Sequence, residues 1–221
     1  ALIRWNSKKY GFTGPNTFIP LLEDSALIIP LGRWIINTAA KACNRWITSI
    51  PDFVMHINLS FVQIVKSNIV KDVLENIERY SAANNHYVFE ITETIEMDQI
   101  PAVQNVFKEF VKNDFRFAID DFGTGYSNYG YMRDRTFDIV KVDRSFVTDI
   151  DKLKDNYLMV SFIIKMAHEM GLHVCIEGVE TKEELSCVKR LGADYIQGYY
   201  YGKPVCLQDF EEQHLKRFVL G

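Results

Sequence analysis

The chain has 221 residues, 48% of them hydrophobic and 24% charged, the balance of an ordinary folded protein and not of a disordered one. Its net charge of -4 argues against a broad basic face for duplex nucleic acid. No apolar run is long enough for a membrane span, since the best candidate, Ala26 to Ile36, is interrupted by Pro30, Gly32 and Arg33.

Leu2 to Trp5 reads as a strand and Gly11 to Pro15 as a turn. Asn16 to Glu23 reads as a short helix, and Leu31 to Ile47 as a longer one with apolar residues at helical intervals. Phe53 to Leu59 is expected to be a strand ending at Asn58, and Asn68 to Ala83 a helix built on Ile69, Val73, Leu74, Ile77 and Tyr80. Tyr87 to Ile91 reads as a strand running into the tetrad Glu90 to Glu93, and Pro101 to Val111 as a helix. Phe117-Ala118-Ile119 stops at two adjacent carboxylates, Asp120 and Asp121, before the glycine loop Gly123-Thr124-Gly125. Phe137 to Val142 is an apolar run carrying Lys141 and ending in Asp143. Asn156 to Met170 is a helix closed by Gly171, and Leu172 to Ile176 a strand ending at Glu177-Gly178-Val179-Glu180. Thr181 to Leu191 opens with a capping box, Thr181 and Glu184, and closes at Gly192. Ala193 to Ile196 is a strand ending at Gln197, and Leu207 to Val219 a final amphipathic helix.

No linker or low-complexity stretch interrupts this order, so a single domain over residues 1–221 is expected. Cys43, Cys175, Cys187 and Cys206 show neither zinc nor disulfide spacing. His56, His86, His168, His173 and His214 form no ligand pair at helical spacing. Both sets read as packing or surface residues of a cytoplasmic protein. The N-terminal ALIRWNSKKYG has no signal-peptide layout and starts in strand-like sequence, as a cut edge would.

Alternating strands and helices point to an α/β protein of parallel βα units. An open doubly wound sheet or a closed barrel would both give this pattern. Asn58, Glu90, Asp120, Lys141, Glu177 and Gln197 fall at or near the C-terminal ends of successive predicted strands. Only a barrel gathers all such ends around one mouth, so the barrel is favoured. Adjacent carboxylates repel unless a proton or cation lies between them. Glu90, Asp120, Asp121 and Asn58 offer oxygen ligands alone, which suits Mg2+ or Mn2+. With Asp120 bridging, two ions about 3.5–4 Å apart could activate a water for attack on phosphorus. Lys141 could then steady developing charge, and Glu177 could take a proton or bind the second ion. Asp143 and Glu180 read as residues that hold Lys141 and the loops in place. Plainer readings stand beside these: a solvated turn at Glu90 to Glu93, Asp121 as a cap, Lys141 snorkelling outward, Gln197 satisfying a backbone group.

The ordered set ALIRW, INLS, FEITE, IDDFGTGYSN, DIVKVDRSF, IEGVE and QGYYYGKP resembles the EAL-domain family of cyclic di-GMP phosphodiesterases over essentially the whole chain. The resemblance implies a modified TIM (β/α)8 barrel that opens cyclic di-GMP to linear pGpG with two Mg2+ or Mn2+ ions. It implies Asn58, Glu90 and Asp120 as metal ligands, Asp121 at the second metal, Lys141 acting on the water, and Glu177 as general base or ligand. Gln197 would complete the site, Arg4 would bind a substrate phosphate, and Glu93 would tether the loop Phe122 to Asn128. It further implies a homodimer, an upstream sensory or GGDEF-type domain, no membrane contact within the chain, and a first strand antiparallel to the others. It also calls for a glutamate immediately before Ala1 as a further metal ligand. Two rival functions remain: a non-catalytic cyclic di-GMP receptor or dimerisation module, and a metal-independent glycosidase using Glu90 and Glu177 with Tyr199-Tyr200-Tyr201 as a sugar platform.

Overall fold

The computed structural model describes residues 1–80, 82–93, 100–125 and 136–215. They group into two compact units: Ala1–Phe89 with Ile100–Arg116 and Val205–Gly221, and Glu90–Gln99 with Phe117–Pro204.

In the first unit, β1 (Trp5–Ser7) pairs antiparallel with β2 (Gly11–Thr13), Trp5 opposite Thr13 and Ser7 opposite Gly11. The strand therefore starts where the sequence reading ended it, and the expected turn from Gly11 is its partner strand. Helix α1 (Pro15–Asp24) starts on a proline, whose missing N–H costs nothing at that position. Helix α2 (Ile28–Trp46) buries Ile36, Ala39, Ala40, Cys43 and Trp46, one face at helical spacing. β3 (Met55–Asn58) alternates, burying Met55 and Ile57 and exposing Asn58.

A helix that periodicity missed follows, α3 (Phe61–Lys66). Its signal was present as Ser60-x-x-Gln63, a reciprocal capping box. Helix α4 (Ile69–Ile77), capped by Asn68, stops six residues short of the expected Ala83. Helix α5 (Pro101–Lys112) buries Val103, Phe107 and Phe110. Phe89 packs edge-on against both Phe110 and Phe115, at centroid distances of 5.1 and 5.5 Å. Among the described residues, the C-terminal segment is α-helical over α8 (Leu207–Phe210) and continues as a π turn over Glu211–Leu215. The Phe210 ring lies tilted 4.6 Å from Trp46, and Glu211 accepts from the Trp46 indole at 3.0 Å. The rest of the helix expected to Val219 lies outside the described residues.

β4 (Tyr87–Thr92) leads into the second unit, which holds β5 (Arg116–Phe122) from Phe117 on, β6 (Ile139–Val142), β7 (His173–Ile176) and β8 (Tyr195–Ile196). Strands β3 to β8 are ordered along one six-stranded sheet as they are along the chain. The pairs β5–β6, β6–β7 and β7–β8 are parallel. All four residues of β6 are buried, as in a sheet covered on both faces. Helices α6 (Lys154–Glu169) and α7 (Lys182–Leu191) also belong to this unit. Gly171 and Gly192 follow them at φ 77° and 89°, the left-handed stops expected from sequence.

Candidate metal centre

The β5–β6 register holds the key to the site. Ala118 and Ile119 pair with Ile139 and Val140, but the next pair is Phe122 with Val142. Three steps along β5 thus match two along β6, a β-bulge that falls on Asp120 and Asp121. Asp121 takes a left-handed φ of 53°, a conformation that an aspartate adopts more readily than bulkier residues. An extra residue breaks strict alternation, so neighbouring carboxylates need not point to opposite faces.

Lys141, on the adjacent strand, is only 3% exposed. Its Nζ lies 2.8 Å from Glu90 Oε1, 2.7 Å from Asp120 Oδ1 and 2.8 Å from Glu177 Oε1. The sequence alternative of a lysine snorkelling outward is therefore excluded. Burial works against its charge, but Glu90, Asp120 and Glu177 outweigh burial and hold the lysine above its ordinary value. The ammonium stays protonated.

Carboxylate oxygens of Asp120, Asp121 and Glu177 lie within 4.8 Å of one another. Burial pushes Glu177 up to about 7; Lys141 opposes that rise and the Asp120 charge adds to it. Asp121 is also raised, by burial first and then by the charges of Asp120 and Asp143. One ammonium cannot balance Glu90, Asp120, Asp121 and Glu177 together. The donors are all oxygen, which hard divalent cations prefer, and the surplus negative charge is what such cations would neutralise. The residues present fit Mg2+ or Mn2+.

The surrounding loops are fixed by backbone bonds. Glu93 is buried, and its Oε2 accepts from the N–H groups of Gly123 (2.8 Å) and Gly125 (3.3 Å). Its own N–H donates to the Asp120 carbonyl at 3.1 Å. These bonds reach Gly125; residues 126–128 of the loop that Glu93 is expected to tether lie outside the described residues. A side chain on Gly123, at φ 97°, would run into the Phe146 ring at 2.6 Å. Asp143 accepts from the Ser145 N–H at 2.9 Å, so its side chain caps the next turn, while the three acids already named hold Lys141. Glu180 is exposed and is anchored by its backbone N–H. Gln197 is exposed too; its backbone N–H donates to Ile176 and its carbonyl accepts from Val179. Arg4 and Asn58 are exposed residues of the first unit, Asn58 closing β3. The glycosidase reading loses its footing here, because Glu90 and Glu177 close on one ammonium instead of facing each other across a sugar-sized gap.

Half-buried and exposed acids on a bulge, with Glu90 and Glu177, gather around one buried lysine at strand ends of an α/β protein. Comparison with known proteins narrows that class. The sequence profile described as "EAL domain" matches residues 1–204, and the chain belongs to the EAL-domain family. It is 30% identical over 206 residues to MucR of Pseudomonas aeruginosa, named a bifunctional diguanylate cyclase/cyclic di-GMP phosphodiesterase, covering 93% of this chain and 30% of that protein. It is 31% identical over 208 residues to the Escherichia coli cyclic di-GMP phosphodiesterase PdeL, covering 93% of this chain and 57% of that one. The solved EAL enzyme Bd1971, in a form with cAMP and cyclic di-GMP bound, superposes with a TM-score of 0.91 at 35% identity, covering 98% of this chain and 59% of that one. The fold is the α/β modified TIM barrel of that family. The chain spans 32% and 24% of the lengths of two uncharacterised relatives that it also matches. Among the described residues, no helix is long and apolar enough to cross a membrane.

Proposed function

We propose that this chain is the phosphodiesterase domain of a larger signalling protein, and that it hydrolyses cyclic di-GMP to linear pGpG with Mg2+ or Mn2+. One observation carries the reading: three carboxylates grip the buried Lys141 ammonium, and a fourth, Asp121, stands beside them on a bulge. Family membership, with relatives named cyclic di-GMP phosphodiesterases, supplies the substrate.

Asn58, Glu90, Asp120 and Asp121 would hold two cations. Such ions, when bound, lower the pKa of a water and neutralise phosphate charge. Glu177 receives the water's proton as the oxygen adds to phosphorus; the P–O bond to a ribose oxygen breaks, and that oxygen takes up a proton from solvent to leave as a hydroxyl, opening the ring. A carboxyl brought close to neutrality suits that task, because proton transfer is most efficient when donor and acceptor are matched near the working pH. Lys141 remains a fixed cation and steadies charge developing on the phosphate oxygens. Arg4 binds a phosphate and Gln197 orients the nucleotide, while Glu93 keeps the loop after Asp121 in register. The family resemblance also implies a homodimer and an upstream sensory or GGDEF-type domain; MucR, a relative that this chain covers to 30%, is named a bifunctional diguanylate cyclase/cyclic di-GMP phosphodiesterase. Free thiols at all four cysteines suit a reducing, cytoplasmic setting.

The test is chromatographic. Full-length protein with Mg2+ or Mn2+ should convert cyclic di-GMP to pGpG and stop when EDTA is added. Calorimetric binding without product would make it a receptor instead.

A further inference from the structure

Glu184 is a buried acid that neither the metal centre nor the substrate contacts account for. It is 6% exposed at the start of α7. Half of its bonding is the capping box legible in sequence, with the Thr181 hydroxyl accepting from the Glu184 N–H at 3.1 Å and Glu184 Oε2 from the Thr181 N–H at 3.0 Å. The other half lies outside that box. Oε2 also accepts from the Glu180 N–H at 2.9 Å, and Oε1 from the Asp149 N–H at 3.2 Å. Asp149 sits at a left-handed φ of 56°. Burial opposes its ionisation, but the N–H donors of Glu180, Thr181 and Asp149 prevail and keep the carboxyl below its usual range.

These bonds meet a segment already wedged from two other sides. Gly178, at φ 70°, lies so close to Arg144 that an added Cβ would fall 2.3 Å from the Arg144 Cβ. A Cβ on Gly198 would fall 2.1 Å from the Val179 carbonyl oxygen. Val179 in turn donates to the Gln197 carbonyl and accepts from the Tyr200 N–H. The four residues from Glu177 to Glu180 are therefore held by the Arg144–Asp149 turn, by the Gln197–Gly198 backbone and by the Glu184 carboxylate. Glu177 leads that segment, and its carboxylate must stay within bonding distance of Lys141.

We propose that Glu184 is a positioning residue: by binding the Glu180, Thr181 and Asp149 amides at once, it fixes the Glu177–Glu180 segment so that the Glu177 carboxylate meets Lys141. The inference rests on the phosphodiesterase reading for its kinetic arm. It has a structural arm that does not.

Three variants of the full-length protein separate positioning from simple helix capping. Thr181→Ala removes a cap and leaves the carboxylate bonds. Glu184→Gln can turn its carbonyl to Glu180 and Thr181 and lose only Asp149. Glu184→Ala loses all three. All three should lower the melting temperature. Only Glu184→Ala should lower kcat strongly, about tenfold to a hundredfold, with KM within about threefold of wild type, as when a supporting residue is removed. Glu184→Gln should recover most of kcat. In the structural arm, amide hydrogen exchange at Gly178 to Thr181 should quicken in Glu184→Ala and stay slow in Glu184→Gln. Equal kcat losses in Thr181→Ala and Glu184→Ala, or unchanged exchange in Glu184→Ala, would overturn the assignment. A wild-type protein without turnover would defeat the phosphodiesterase reading alone, and hydrogen exchange would then decide the positioning claim.

Discussion

The two ends of the parallel sheet in the second unit treat aspartate in opposite ways. At the ends where strands begin, Asp138 accepts from the Phe117 N–H at 3.0 Å, and Asp194 from the Val174 N–H at 2.7 Å and from His168 at 2.8 Å. Burial disfavours the Asp194 charge, but His168 and the Val174 amide prevail and lower its pKa. At the ends where strands finish, Asp121 and Glu177 are both raised. The same functional group thus serves as a staple at one end and as an unbalanced charge at the other. Evenly donated N–H bonds stabilise the first kind, whereas the second kind has one lysine to share. Charge left unmatched in a partly buried place signals a site built for something it can bind.

The contrast can be broken most severely at Lys141. Lys141→Met leaves its carboxylates unpaired, and losing one side of a buried ion pair costs about 3–5 kcal/mol. Urea unfolding of the metal-free variant should show a loss of that order at pH 8 and a smaller one near pH 5. The sign follows from Glu177. Burial raises it to about 7 in the folded protein against the lowering pull of Lys141, so without the lysine the carboxyl is raised further and takes its proton at still higher pH. A protonated carboxyl no longer needs the ammonium, so the loss is full at high pH and shrinks as pH falls. Asp121→Asn comes next. It should cut hydrolysis by roughly a hundredfold or more, as loss of a key electrostatic group does. Its melting temperature should hold or rise, because an amide relieves the repulsion and asparagine tolerates a positive φ. Asp194→Asn should do the reverse, costing about 1–2 kcal/mol of stability with hydrolysis within about twofold of wild type. The Asp194 contribution is present at neutral pH and should disappear as pH falls into the range where a normal aspartate protonates.

How far the sequence foresaw this depends on the residue. Lys141 was conspicuous because a lysine among apolar neighbours at a strand end has few inexpensive explanations, and the structure buries it. The order of strands was legible from their near-continuous apolar runs. The bulge at Asp120–Asp121 was not, because it is a mismatch between two strands and neither strand alone contains it. The strand at Gly11–Thr13 is three residues long, too short to show a period, and its glycine looked like a turn. Helix α4 ended early where Tyr80 bonds Asn37 at 3.3 Å, a tertiary contact invisible to periodicity. Glu184 showed its capping half in sequence; its bond to Asp149 joins residues 35 apart.

The account stands on whether the charge surplus at the strand ends takes up divalent cations. Calorimetric titration of Mn2+ into metal-free protein at pH 8 reads this directly, with the same titration near pH 5.5 and in Asp121→Asn as controls. Binding at pH 8 that weakens as pH falls below about 7 and is lost in Asp121→Asn is the predicted result. Wild-type protein that takes up no ion at pH 8, or a variant that binds as tightly as wild type, would contradict it.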